Sequence, residues 1–212
     1  MSDPINSENL GHGRARSAPV WCAAAVLVCL AAAGFAGCGR AAGRVGQTIY
    51  PADLTQKEQD IFELYGGEGS SRIFEFASGK LKAASVRLKV LTADGQWMDH
   101  GRAVLGSLGR DGRILVTTSD GWQTVKMVMQ DSEGTESVSF QPGDSGETGR
   151  MEASSWLSEP ADVEEGKEIP LLIHAESGGD SIESFGMAGF DDTAMLAGND
   201  YVFAVTVTFT EP

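Results

Sequence analysis

The clearest pattern in the chain is a two-residue alternation near its C-terminal end, over residues 201–210. Large apolar side chains alternate there with smaller or hydroxylated ones: Tyr201, Phe203, Val205, Val207 and Phe209 against Val202, Ala204, Thr206, Thr208 and Thr210. Successive side chains of a β-strand point to opposite faces, so this period predicts a strand with one face in a core. Its aromatic and β-branched residues suit a central strand of a sandwich.

Weaker versions of the same pattern predict strands along most of the chain after residue 70. Further strands are predicted over residues 73–76, 86–90, 113–117, 122–130, 135–140, 151–157 and 168–175. Turn signals separate several of them: Asp94-Gly95, Asp111-Gly112, Asp120-Gly121 and Glu133-Gly134. Closely spaced turns between alternating segments favour antiparallel pairing. The sequence therefore predicts a mainly β protein, an antiparallel two-sheet sandwich of immunoglobulin-like or jelly-roll kind.

One helical segment precedes these strands. Thr55 and Glu58 have the spacing of a capping box, in which each side chain bonds the backbone N–H of the other residue. A helix is predicted from there to about Tyr65, where Gly66-Gly67 ends it. Ile61, Leu64 and Tyr65 fall on one face, which is predicted to pack on the domain.

Upstream of the folded part lies an apolar run from Val20 to Cys38. Arg14 and Arg16 precede it, and no charged residue interrupts it. A positive lead, an apolar stretch and small residues before a cleavage point are the order of a secretory signal. The run is at the short end for a membrane-spanning helix, which needs about 20 apolar residues.

The end of this run, Phe35-Ala36-Gly37-Cys38, resembles the lipobox of bacterial lipoproteins. The resemblance implies cleavage between Gly37 and Cys38, and a diacylglycerol on the Cys38 thiol. It also implies a lipid-anchored protein on the extracytoplasmic face of a cell membrane. Small residues let a peptidase approach the backbone, and a thiolate supplies the nucleophile. The alternative is an uncleaved signal anchor beside which Cys38 merely lies.

These observations divide the chain into three parts: a signal peptide at residues 1–37, a flexible tether at 38–54 and an acidic sandwich domain at 55–212. Two acidic and two basic residues cancel in the signal peptide, so the whole net charge of −14 belongs to the rest. Such a balance argues against nucleic acid, whose binding depends on Lys and Arg. Cys22 and Cys29 would leave with the signal, so neither a disulfide nor a thiol metal site is expected.

Candidate catalytic serines lack a partner in the sequence. Gly143-Asp144-Ser145-Gly146 resembles the nucleophile motif of trypsin-like proteases, but the histidine signature of that family is absent. Gly179-Asp180-Ser181 resembles the nucleophile block of a second hydrolase family, but the Asp and His that this family has later in the chain are absent. A serine without a placed base is a weak nucleophile. We therefore expect that the protein is not an enzyme.

Metal and cofactor binding are not predicted either. His100 and His174 are the histidines of the folded part, and neither has a second His or a Cys at ligand spacing. Oxygen ligands for calcium could come from Asp191-Asp192 with Asn199-Asp200, but no known loop pattern surrounds them. Solvated acids are the favoured interpretation, with a weak calcium site as the alternative.

Trp97, Trp122 and Trp156 each lie beside a turn or at a strand end. Tryptophans exposed on one face of a sandwich could stack on sugar rings, whereas buried ones would supply apolar area to the core. Core packing is favoured for each, and glycan stacking is the alternative.

The predicted function is non-catalytic binding of a ligand, glycan or protein at the cell surface. The alternative is a structural or interaction module of the cell envelope without a small-molecule ligand, and a third is a hydrolase with an unrecognised site. The layout from the helix and the Ile73–Phe76 strand to the threonine-rich last strand is similar to that of small lipoproteins of uncharacterised function from Gram-positive gut bacteria. This similarity implies no activity.

Overall fold

The computed structural model describes residues 47–64, 70–106, 108–143 and 150–211. The signal peptide, Gly37 and Cys38 lie outside these ranges, as do Tyr65 and Ser145. The strands are β1 (Thr48–Pro51), β2 (Ser71–Ala77), β3 (Ala83–Leu91), β4 (Trp97–Leu105), β5 (Asp111–Ser119), β6 (Thr124–Asp131), β7 (Thr135–Phe140), β8 (Met151–Trp156), β9 (Ala161–Asp162), β10 (Glu168–Ser177) and β11 (Tyr201–Thr210). The helix α1 is Gln56–Leu64, and two 3₁₀ helices span Met187–Phe190 and Thr193–Leu196.

The strands form two antiparallel sheets, as the alternating pattern predicts. Sheet A has the order β7-β6-β5-β2-β1-β9, and sheet B has the order β4-β3-β11-β10-β8. The strand β11 is thus the central strand of sheet B, between β3 and β10. These findings confirm the predicted fold class: mainly β, with two antiparallel sheets and one short helix near the start of the described part.

The main core lies between the two sheets. Alternate residues of β11 enter it, including Phe203, Val205 and Phe209, all with no exposed surface. Phe74 and Phe76 of β2 meet them from sheet A, and the Phe76 and Phe209 rings are 5.3 Å apart. Burial of each of these large side chains stabilises the folded protein by about 2–3 kcal/mol. The alternate apolar residues of β11 and β2 that face each other therefore hold the two sheets together.

The outer face of sheet B is also covered, near one end, by the segment between β10 and β11. Val202 and Ala204 on the second face of β11 pack with Phe190 and Leu196 from the two 3₁₀ helices. Both faces of β11 are buried there, so its smaller alternating residues are core residues too. The two 3₁₀ helices, Met187–Phe190 and Thr193–Leu196, thus form part of this cover.

The capping box at the start of α1 is confirmed. The Glu58 carboxylate accepts from the Thr55 backbone N–H at 2.9 Å and the Thr55 hydroxyl at 2.7 Å, and the Glu58 N–H donates to Thr55 Oγ1 at 3.4 Å. Glu58 also accepts from Arg113 Nη1 of β5 at 3.2 Å, which ties the helix to sheet A. The predicted packing face is wrong at Leu64, which is 82% exposed, because a polar contact rather than an apolar face holds α1.

The tether predicted over residues 38–54 is wrong at its C-terminal end. Thr48–Pro51 is strand β1, which pairs with β2 on one side and β9 on the other. Ile49 is fully buried in the main core, and its burial stabilises this short strand against the sheet. The alternation is only four residues long and ends in proline, which explains why it was not predicted.

Asp111-Gly112 is not a turn, contrary to prediction, but the first pair of residues in β5. A Cβ atom on Gly112 would lie 2.4 Å from the Gln130 carbonyl oxygen and 2.8 Å from Phe76 Cζ. The glycine therefore permits close approach of backbone and ring within a sheet.

Among the helices in the described ranges, none is long and apolar enough to cross a membrane.

Candidate functional site around His174

Three elements bring polar side chains together at one end of the sandwich. His174 and Glu176 are two residues apart on β10, so they share a face. Ser154 of β8 is the register partner of His174, and Tyr201 of β11 is the partner of Glu176. The turn between β5 and β6 adds Trp122 from the opposite sheet. We call Trp122, Ser154, His174, Glu176 and Tyr201 the His174 cluster.

His174 has no exposed surface and lies among aromatic rings. The Trp122 indole stacks on the imidazole with centroids 4.0 Å apart and an interplanar angle of 18°. The Phe203 ring lies 5.0 Å away on the same face. Burial lowers the pKa of His174 to about 4, because a charged imidazolium would lose its hydration there. At neutral pH the imidazole therefore carries one proton.

The hydrogen-bonding environment indicates where that proton lies. Ser154 Oγ is 3.1 Å from His174 Nδ1, and Glu176 Oε1 is 3.5 Å from His174 Nε2. A carboxylate can only accept, whereas a hydroxyl can donate. The Nε2–H tautomer suits both neighbours, since Nδ1 then accepts from Ser154 and the Nε2 proton lies on the side of the Glu176 carboxylate, although Nε2 makes no hydrogen bond among the described residues. Ser154 itself is exposed, so a buried base contacts a hydroxyl at the surface.

An unusual backbone turn places Trp122 over the imidazole. Asp120, Gly121 and Trp122 have φ angles of 55°, 62° and 71° in succession. Non-glycine residues rarely adopt positive φ, and a residue held there requires compensation from its surroundings. The stack on His174 and the contact with Phe203 at 6.4 Å provide that compensation for Trp122. The predicted strand from residue 122 consequently begins later, at Thr124.

Tyr201 closes the same end of the sandwich. Its hydroxyl donates to the Pro142 carbonyl oxygen, which connects β11 to the residues after β7. Burial, with a smaller contribution from the Glu176 charge, raises the pKa of Tyr201 to about 12. The phenol therefore stays protonated, and the negative charge in this cluster belongs to Glu176.

The structure does not assemble the three tryptophans into one exposed surface. Trp97 is half-buried on the outer face of sheet B, where it stacks on Phe190 at 5.2 Å and donates from Nε1 to the Phe190 carbonyl at 2.8 Å. Trp122 and Trp156 are half-buried against the main core. Each ring is thus engaged in packing at its own place in the fold.

The other sequence candidates lie apart from one another. His100 is exposed on β4, opposite a register shift between Leu88 and Lys89. Ser181 is exposed in the segment after β10. Asp200 Oδ2 accepts from the Gly178 N–H at 2.6 Å, and Asn199 donates to the Leu196 carbonyl at 2.9 Å. Within the described ranges, no three His, Cys, Asp or Glu residues are grouped as metal ligands would be.

No protein-family model matches this chain. No curated protein and no solved structure matches it either.

Sequence reasoning missed Ser154 and Glu176 as partners of His174. The spacing of His174 and Glu176 in a strand signals a shared face, and that signal was available. The contact with Ser154 depends on which strand pairs with β10 and in which register, and neither is specified by local alternation.

Proposed function

We propose that the chain is a lipid-anchored protein of the extracytoplasmic face of a cell membrane, and that its folded part binds another protein of the envelope. The anchor is supported by the lipobox-like residues Phe35 to Cys38. A diacylglycerol on Cys38 would hold the acidic sandwich at the surface.

The observation that carries the binding proposal is the exposed edge of sheet B. Strand β4 ends the sheet and has nine residues. Two large apolar side chains are exposed on it, Met98 at 53% and Val104 at 62%. Val104 lies opposite Ser85 on the outer face, which it shares with the exposed residues Asp99 and Arg102, whereas Met98 lies opposite Val90 on the other face. Apolar side chains within a polar rim are typical of a protein interface.

The bulge in β4 indicates how a partner would engage it. The register shift beside His100 brings Asp99 opposite Lys89 and Arg102 opposite Arg87, so Asp99 and Arg102 share the outer face. Bulges interrupt the regular edge that an added strand would need. We therefore infer contact through side chains rather than by extension of the sheet. On this outer face Asp99 Oδ1 lies 3.1 Å from Lys89 Nζ, so part of its charge is already balanced within the chain.

A photocrosslinking experiment tests this proposal. p-Benzoylphenylalanine replaces Val104 in the full chain, in the cells that make it, and replaces Leu64 on α1 in a matched control. Leu64 is the more exposed of the two, at 82%, and lies outside β4. We expect a protein adduct from position 104 and none from position 64.

A second variant makes the result specific. Val104→Asp should abolish the adduct formed by the same photoreactive residue at Arg102, which shares the outer face with Val104, without changing the melting temperature. Equal adducts from positions 104 and 64, or none from either, would contradict protein binding through β4. Binding of a purified envelope glycan, detected as a change in tryptophan fluorescence without any protein adduct, would favour the glycan alternative.

A further inference from the structure

A second activity is indicated by Ser154, independently of protein binding through β4. Ser154 is exposed on an end strand, yet its hydroxyl lies 3.1 Å from the nitrogen of a fully buried imidazole. A nucleophile beside a base that a third group orients is the usual arrangement for nucleophilic catalysis. Glu176 is the candidate third group, because its Oε1 lies 3.5 Å from His174 Nε2 and a nearby carboxylate favours the Nε2–H tautomer.

The surroundings of His174 Nε2 favour one orientation of the imidazole ring. His174 Nε2 is enclosed and makes no hydrogen bond within the described residues, and the Glu176 carboxylate lies 3.5 Å from it. The Trp122 stack restricts rotation of the ring. The lone pair of Nδ1 is consequently held toward Ser154. We propose that Ser154 is an activated nucleophile that accepts the acyl group of neutral, activated esters.

The reaction is an acyl transfer whose atoms and protons balance. Ser154 Oγ attacks the carbonyl carbon of the ester, and its proton passes to His174 Nδ1. The carbon–oxygen bond to the leaving group breaks, and the leaving alkoxide or phenolate takes the proton from Nδ1. The product is an ester on Ser154. Attack by water on that ester, with the same proton route, would release a carboxylic acid and restore the hydroxyl.

Groups beside Ser154 specify the class of ester. Glu152 and Trp156 lie two residues to either side on β8, on the same face. Glu152 also pairs in register with Glu176, so two carboxylates lie near the nucleophile. Anionic esters are disfavoured by like charge, whereas the half-buried Trp156 offers an apolar side to a small acyl group. We therefore infer that the substrates are neutral esters with small acyl groups.

The position of Ser154 on an end strand supplies donors for the developing oxyanion. Strand β8 pairs only with β10 among the described strands, so alternate backbone N–H groups point away from the sheet along its other edge. Such groups can donate to the carbonyl oxygen as it becomes negative. Because solvent shares this edge, we expect transfer from esters with good leaving groups.

Site-resolved acetylation by p-nitrophenyl acetate tests the inference on the full chain. Peptide mass spectrometry would follow the acetylation rate of Ser154 beside that of Ser158, an exposed serine just beyond β8. General-base assistance predicts acetylation of Ser154 about 10-fold faster than that of Ser158, less than the usual factor because burial lowers the pKa of His174 to about 4 and weakens it as a base. Ser154→Ala should remove the fast reaction, and Ser158→Ala should leave it unchanged. p-Nitrophenyl succinate, which is anionic, should react more slowly at Ser154 than the acetate.

Two further variants separate base catalysis from a structural role of the imidazole. His174→Phe should lower the Ser154 rate to that of Ser158 while circular dichroism stays native. If His174→Phe does not fold, Glu176→Leu serves instead, because toward the neutral acetate ester Glu176 is expected to act through the tautomer of His174. We expect ¹⁵N shifts of His174 to show Nε2–H in the native chain and a mixture of tautomers in Glu176→Leu, with a slower Ser154. Equal rates at Ser154 and Ser158, or a His174→Phe rate like the native one, would overturn the proposal.

Discussion

The His174 imidazole is enclosed by aromatic rings, and its protonation is therefore coupled to folding. The unfolded chain binds a proton at this site below pH 6.5, the ordinary value, whereas the folded chain binds it only below about pH 4. Between these values the unfolded state binds more protons, so acidification favours unfolding. The stabilising contribution is complete above pH 6.5 and is lost as the pH falls toward 4.

We expect His174 to lower the free energy of unfolding by about 3 kcal/mol in total as the pH falls through this range. His174→Phe should remove that part of the pH dependence of the free energy of unfolding, because phenylalanine fills the space against Trp122 and Phe203 without titrating. Urea unfolding of both proteins at intervals between pH 4 and pH 7 measures the difference. Parallel stability curves for the two proteins would show that the imidazole does not titrate in this way.

The same residues show what sequence can and cannot specify at this scale. The burial of alternate residues in β11 follows directly from their types, and Phe203 and Val205 were predicted correctly to face a core. The contact of Ser154 with His174 joins residues on separate strands, and the energy that selects this pairing is distributed over the whole sheet. Trp122 took an unexpected conformation because the stack on His174 compensates for its backbone.

At the scale of elements, α1 depends on one carboxylate. Glu58 closes the capping box with Thr55 and also accepts from Arg113 of β5. The Thr55 N–H bond is the main reason that the pKa of Glu58 lies below its usual 4.5. The stabilisation is therefore present above pH 4.5 and is lost as the pH falls below it.

Glu58→Gln should destabilise the protein by about 1 kcal/mol, since it weakens a cap and a contact to sheet A. Glu63→Gln is the matched control, because Glu63 is exposed on the same helix and accepts from Gln59 Nε2 at 2.9 Å. Its effect should stay within about 0.5 kcal/mol. Chemical denaturation at pH 7 measures both variants, and equal effects would refute the dependence on Glu58.

The segment between β10 and β11 is a second element held by a small number of contacts. Trp97 anchors it through the Phe190 ring and carbonyl, and Thr193 Oγ1 donates to the Gly95 carbonyl at 2.9 Å. Trp97→Phe keeps an aromatic ring but leaves the Phe190 carbonyl without its indole donor. This change should cost about 1 kcal/mol.

Phe190→Ala should cost about 3 kcal/mol, because it opens a cavity over the outer face of sheet B. Met195→Ala is the control in the same segment, since Met195 is 45% exposed. Thermal unfolding measures all three variants. Similar melting temperatures for Phe190→Ala and Met195→Ala would show that this second cluster does not stabilise the fold.

At the scale of the whole molecule, the sequence predicted the class of fold because period-two alternation and turn signals are local. It did not predict strand order, the covering of sheet B or the short strand β1. Each of these depends on long-range packing, as the burial of Ile49 shows. The lipobox-like motif is also local in the sequence. It predicts that the whole protein is attached to a membrane.

The most direct test of that prediction is the intact mass of the protein extracted from membranes, measured beside a Cys38→Ala variant. We expect a mature chain that begins at Cys38 and carries the added mass of a diacylglycerol, and we expect both features to be lost in the variant. A full-length mass without lipid in the native protein would contradict the lipid anchor and leave an uncleaved signal anchor in its place.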